Sequence, residues 1–178
     1  MFRAGDMIIY GRMGVCRVEG IEEREGQPYY RLMTLYQKCT IHTPVNGRIF
    51  MRPVLTREEA EALIDSIPSV RARPVECRAV RELTDRYLAS MNTCDAAELL
   101  VMTMSIYAKK KRAEKDNRKV GAVDERFLRA GEDMLYTELG VSLGIPPKEV
   151  PKYIRRRLAG KSGGGPVPAS PEDTGENV

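Results

Sequence analysis

Tryptophan is absent from the 178 residues, histidine occurs once and phenylalanine three times. A core must therefore be built from Val, Ile, Leu and Met, and at 42% apolar residues a chain of this length holds enough of them. A histidine-based triad would rest on His42 alone, in a Thr/Pro-rich run with no partner nearby in sequence. No G-x-x-x-x-G-K-[ST], G-x-S-x-G or H-E-x-x-H pattern occurs. The scattered carboxylates lie among lysines and arginines and read as solvated pairs, so no catalytic residue and no enzyme activity is expected. Cys16, Cys39, Cys77 and Cys94 form no C-x-x-C, and one histidine cannot complete a zinc set. Neither metal nor cofactor is expected, and the cysteines read as reduced thiols, with Cys16 and Cys94 half-buried. No apolar run approaches the roughly 18 residues a membrane helix needs, and no leader pattern opens the chain, so a soluble cytoplasmic protein is expected.

What is present divides the chain. Residues 7–10, MIIY, form a short apolar run broken at Gly11 to Gly14 and resumed at residues 15–24. Glu25-Gly26-Gln27 is a turn in which glycine supplies positive φ. The return run, residues 28–35, alternates Tyr30, Leu32 and Thr34 against Tyr29, Arg31 and Met33, one face buried and one wet. A further strand is expected over residues 40–45, held to an edge or end by Pro44. Asn46-Gly47 signals a hairpin into a fifth strand over residues 48–52. Thr56 and Glu59 have capping-box spacing at the start of a helix reaching about Ser66. Residues 68–75 carry two prolines and two arginines and read as a linker. Helical periodicity then fills residues 76–91, 96–115 and 123–140, with Gly140 as the expected C′ residue. A last helix spans residues 148–158, with Pro151 expected to weaken or bend it.

The fold expected is α+β in two domains: a small five-stranded antiparallel β module and an all-α domain. The boundaries expected are 1–55 for the β module, 56–75 for a helix and linker, 76–158 for the helical domain and 159–178 for a disordered tail.

The formal charge of +4 permits a nucleic-acid partner without demanding one. Cations gather in two settings. The β module holds eight Lys/Arg against five Asp/Glu, the arginines at positions 12, 17, 24, 31, 48 and 52 among them. In the helical part Arg71, Arg73, Arg78 and Arg81 flank the linker, and between Lys109 and Lys119 seven cations face two acids. Each run alone reads as a solvated face, and the second also complements a helix dipole. Two such clusters in one small helical domain raise the case for phosphate binding. Nothing matches a zinc finger or an RNA-recognition motif, so sequence-specific base readout is not expected.

The opening GDMIIYGRMGVCRVEGIEE, then YYRL, Ile41-His42-Thr43-Pro44-Val45 and the Arg52-Pro53-Val54 closure resemble the CarD/CdnL family of bacterial transcription regulators. The same segment resembles the RNA-polymerase-interacting domain of the transcription-repair coupling factor. The helical half is collinear with the family through Asp95, Glu98-Leu99, Val120-Gly121, residues 124–128 and residues 136–139, so that the match covers about residues 1 to 158.

The resemblance implies a Tudor-like β module that adds its sheet to the polymerase β subunit. It also implies a helical domain that meets promoter DNA at the upstream edge of the bubble and modulates open-complex stability without reading a sequence. Carried over, the polymerase-binding positions are Arg24, Ile41, His42, Thr43 and Pro44. His42 stands where the family commonly has arginine, a shorter side chain whose charge depends on pH. The DNA-contacting positions are Arg78, Val80, Arg81, Arg86, Lys109, Lys110 and Arg126. Val80 falls where the family presents a tryptophan wedge, and valine has far less surface to stack on a base. The alternative is a polymerase-binding adaptor without a DNA role; a free nucleic-acid module using the β face ranks last.

Overall fold

A computed structural model describes residues 1–36 and 38–160. The tail expected at 159–178 therefore lies outside the described residues, apart from Ala159 and Gly160 at the end of the last helix. Five strands, β1 (Met7–Tyr10), β2 (Val15–Arg24), β3 (Gln27–Thr34), β4 (Thr40–Pro44) and β5 (Met51–Pro53), precede five helices. These are α1 (Arg57–Ser66), α2 (Val80–Asn92), α3 (Ala96–Lys115), α4 (Ala122–Leu143) and α5 (Val150–Ala159). The expected α+β, two-part layout is what the chain adopts.

The sheet is antiparallel throughout, in the order β4-β3-β2-β1-β5. The β2–β3 turn has Glu25 at φ 50° and Gly26 at φ 74°, the two left-handed residues that a tight hairpin turn requires. Asn46-Gly47 behaves differently from expectation. Its flanking strands do not pair: β4 and β5 lie at opposite edges, and Gly47 N–H only closes a turn onto the Pro44 carbonyl at 2.9 Å. The fifth strand is correspondingly short, Met51–Pro53 rather than residues 48–52. The chain has to cross the whole sheet between these strands, and residues 45–50 are spent on that crossing.

Strand alternation sets the two faces. Ile8, Tyr10, Cys16, Val18, Tyr30 and Leu32 form a core inside the curved sheet. Ile9 and Val15 point the other way, against Cys94 in the α2–α3 turn, with Val54 and Val141 beside them. Cys16 and Cys94 are fully buried rather than half-buried, and burial pushes the Cys16 thiol up to about 11.

The capping box at α1 is formed: Thr56 Oγ1 accepts from Glu59 N–H, and Glu59 accepts from Thr56 N–H. Helix α1 contributes Ala60 and Ile64 to the main helical core, with Leu100 of α3, Leu135 and Leu139 of α4 and Ile154 of α5. A second helical core joins Leu83 and Tyr87 of α2, Leu99 and Ile106 of α3, and Phe127 of α4. Two helix-end expectations need correction. Helix α4 runs past Gly140 to Leu143, and the left-handed cap is Gly144 at φ 68°. Gly140 is instead a close-approach position, where a Cβ would lie 2.8 Å from the Ile145 carbonyl. Pro151 does not weaken α5, because it occupies the first turn, where the missing N–H has no intrahelical acceptor.

Candidate macromolecular interface

The outer face of the sheet carries the polar array. Beyond the irregularity between Val18 and Gly20, the β2–β3 register sets Gly20 opposite Arg31 and Glu22 opposite Tyr29. In β4, His42 lies opposite Arg31. Alternation therefore places Glu22, Arg24, Arg31 and His42 on one face. Arg31 Nη1 donates to Glu22 Oε1 at 2.9 Å. Arg24 Nη2 lies 3.4 Å from Glu22 Oε2 and 3.1 Å from His42 Nε2. A guanidinium can only donate, so Nε2 is the acceptor and the ring proton sits on Nδ1. Nδ1 is buried without a hydrogen bond, 3.5 Å from Glu22 Oε2.

The β4 backbone is half committed. Thr34 N–H bonds to the Cys39 carbonyl and Val45 N–H to the Pro28 carbonyl, both at 2.9 Å, with unbroken register between. Odd-numbered residues of β4 therefore face β3, and even-numbered residues turn their backbone outward. Pro44 has no N–H, and its carbonyl is taken by Gly47. The N–H groups of Thr40 and His42 have no hydrogen-bond partner among the described residues. Of the five sequence-derived positions here, Arg24 and His42 present side chains outward. Ile41 and Thr43 point into the sheet core, Thr43 only 3% exposed.

The helices gather the second set at one end of their bundle. Helices α2 and α3 form a hairpin whose turn, at Cys94, rests on the sheet. The start of α2 thus lies beside the end of α3, where Arg112 pairs with Glu76 at 2.9 Å. The start of α4 joins them: Tyr87 Oη donates to Asp124 Oδ1 at 2.7 Å and Lys109 Nζ to the same oxygen at 2.9 Å. Arg78, Val80, Arg81, Lys110 and Arg126 are exposed at this end, Val80 at 68%, and the Arg126 guanidinium lies 5.0 Å from the Phe127 ring centroid. Two positions are otherwise engaged. Lys109 is committed to the buried Asp124 carboxylate, and Arg86 pairs along α2 with Glu82 at 3.3 Å. With α3 twenty residues long, this end stands about 30 Å from the start of α3 beside the Cys94 turn.

Elsewhere, an open groove of about 630 Å³ between sheet and α4 is lined by Met13, Leu35, Tyr36, Met134, Pro147 and Lys148 among others. Among the described residues no group of three His, Cys, Asp or Glu could hold a metal, and no helix is long and apolar enough to cross a membrane.

Residues 2–55 match the family model of the CarD-like/TRCF RID domain. The match spans the five-stranded sheet and ends before α1. No curated protein matched the chain. A RID is an RNA-polymerase-interacting, non-enzymatic domain, so polymerase is the partner class. Within the RID, Glu22 is the residue that sequence reasoning passed over. Its position two residues before Arg24 on one strand put both on one face, but its contacts with Arg31 and His42 depend on strand pairing that no local pattern displays.

Proposed function

We propose that the chain is a CarD-like transcription regulator acting in the cytoplasm. Its Tudor-like RID adds β4 to the polymerase β subunit, with Arg24 and His42 beside the new strand, while the basic end of the helices rests on promoter DNA and modulates open-complex stability. The observation that carries this reading is the pair of unpartnered N–H groups at Thr40 and His42, a ready template for strand addition. The working division is 1–55 for docking, 56–75 as connection and 76–158 for DNA. Arg78, Arg81, Lys110 and Arg126 supply phosphate contacts and Val80 a small apolar tip.

Capture of polymerase by wild type and Arg24→Glu tests the docking half. Wild type is expected to capture it and the charge reversal to abolish capture with the fold intact; equal capture would mean that the docking face is elsewhere.

The adaptor reading has one observation in its favour: Val80, Lys109, Arg86 and Arg112 are either small or already paired. A salt series on promoter-fragment binding separates the two. Phosphate contacts give a log K against log salt slope of about −0.9 per contact, and a flat response favours the adaptor.

A further inference from the structure

Glu22 is the acid within the array of Arg24, Arg31 and His42, and charge alone would make it an obstacle to an acidic partner. Its geometry gives it another part. Its two carboxylate oxygens reach three cation-bearing or polar side chains from three strands: Arg31 Nη1 at 2.9 Å, Arg24 Nη2 at 3.4 Å and His42 Nδ1 at 3.5 Å. His42 in turn accepts from Arg24 at 3.1 Å, so the ring is held between the arginine and the acid. All four side chains are a quarter to a half exposed, so these pairs add little to stability. What they do is fix direction. Arginine is long and carries many rotamers, and ordering such a side chain at an interface is costly unless it is ordered beforehand. Arg24 spends only Nη2 and Arg31 only Nη1 on this array, and the other N–H groups of each fork have no partner among the described residues. They lie on the same face as the open rim of β4.

We infer that Glu22 is a positioning residue of the docking face: it holds the Arg24 and Arg31 forks in one array with His42, ready for carboxylates carried by a strand added to β4. This rests on the docking reading above. It makes a prediction opposite in sign to simple electrostatics. Glu22→Gln raises the positive charge of the face by one, which should speed encounter with an acidic partner. Loss of the anchoring carboxylate should free both guanidinium groups and speed dissociation.

The test measures association and dissociation of the full chain on immobilised polymerase for wild type, Glu22→Gln, Arg24→Ala/Arg31→Ala and the triple variant, with urea unfolding midpoints alongside. The expected result is about five- to tenfold weaker binding for Glu22→Gln, carried by a faster off-rate at an unchanged midpoint. In the background lacking both arginines the same change should have an effect within about twofold. Equal or tighter binding of Glu22→Gln, or an equal loss in that background, overturns the inference while leaving the docking reading in place. Failure of wild type to bind polymerase overturns both.

Discussion

The two edges of this sheet are made of similar material and meet opposite fates. Both edge strands are short, both contain a proline and both carry a cationic or imidazole side chain at their centre: His42 in β4, Arg52 in β5. Edge β5 is sealed. Arg52 Nη2 donates to Glu138 Oε2 at 2.8 Å, Nη1 donates to Oε1, and Nε donates to the Cys94 carbonyl at 2.9 Å. Glu138, 1% exposed, also accepts from Leu55 N–H, and Ser142 donates to the Leu55 carbonyl at 2.6 Å. Helix α4 thus holds this edge by the Arg52 side chain and by Leu55, just past the strand. Edge β4 has β3 on one side and outward donors on the other. The difference teaches that the helical part grips one rim of the sheet and leaves the other ungripped, and it joins the remote basic end to the sheet through a buried ion pair.

The largest break in that comparison is Arg52→Met. It leaves the Glu138 carboxylate buried without its charge partner and should cost about 3–5 kcal/mol in urea unfolding. Ser142→Ala removes one bond to the Leu55 carbonyl and should cost about 1 kcal/mol by the same measurement.

Two of the three buried acids on α4 sharpen the point. Glu138 faces a guanidinium, whereas among the described residues Glu132 accepts from the hydroxyls of Tyr107 and Tyr136, and burial pushes its carboxyl above the ordinary value near 4.5. A raised folded value means that the stabilising contribution is complete below about pH 4.5 and is lost as pH rises through the folded value. Glu132→Gln keeps the acceptor for both hydroxyls and has no proton to lose. It should therefore gain stability relative to wild type as pH rises from 4.5 to 7, measured as the difference in unfolding free energy.

Much of this was legible in residues. The period-two run of β3, the Glu25-Gly26 turn and the Thr56–Glu59 box each reflect short-range chemistry, and each formed as expected. Asn46-Gly47 misled because a good turn dipeptide bends the chain wherever it sits, while pairing of the flanking strands depends on the rest of the sheet. Gly140 misled for a similar reason: its small size serves a contact with the segment following α4 rather than a helix end. At the candidate interfaces, Arg24 and Arg78 were visible among the clustered cations, and His42 through the family resemblance. The commitment of Lys109 to Asp124 and the central place of Glu22 were not, since both are made between distant elements.

The smallest stability effect accompanies the most telling binding experiment. The Thr40 N–H faces away from β3, so Thr40→Pro removes an outward donor and no ladder bond, and the unfolding midpoint should hold. Polymerase affinity of the full-length Thr40→Pro chain should fall at least about tenfold, through loss of a strand-addition bond and the steric block of the proline ring. Undiminished affinity at an unchanged midpoint would contradict docking through the β4 rim.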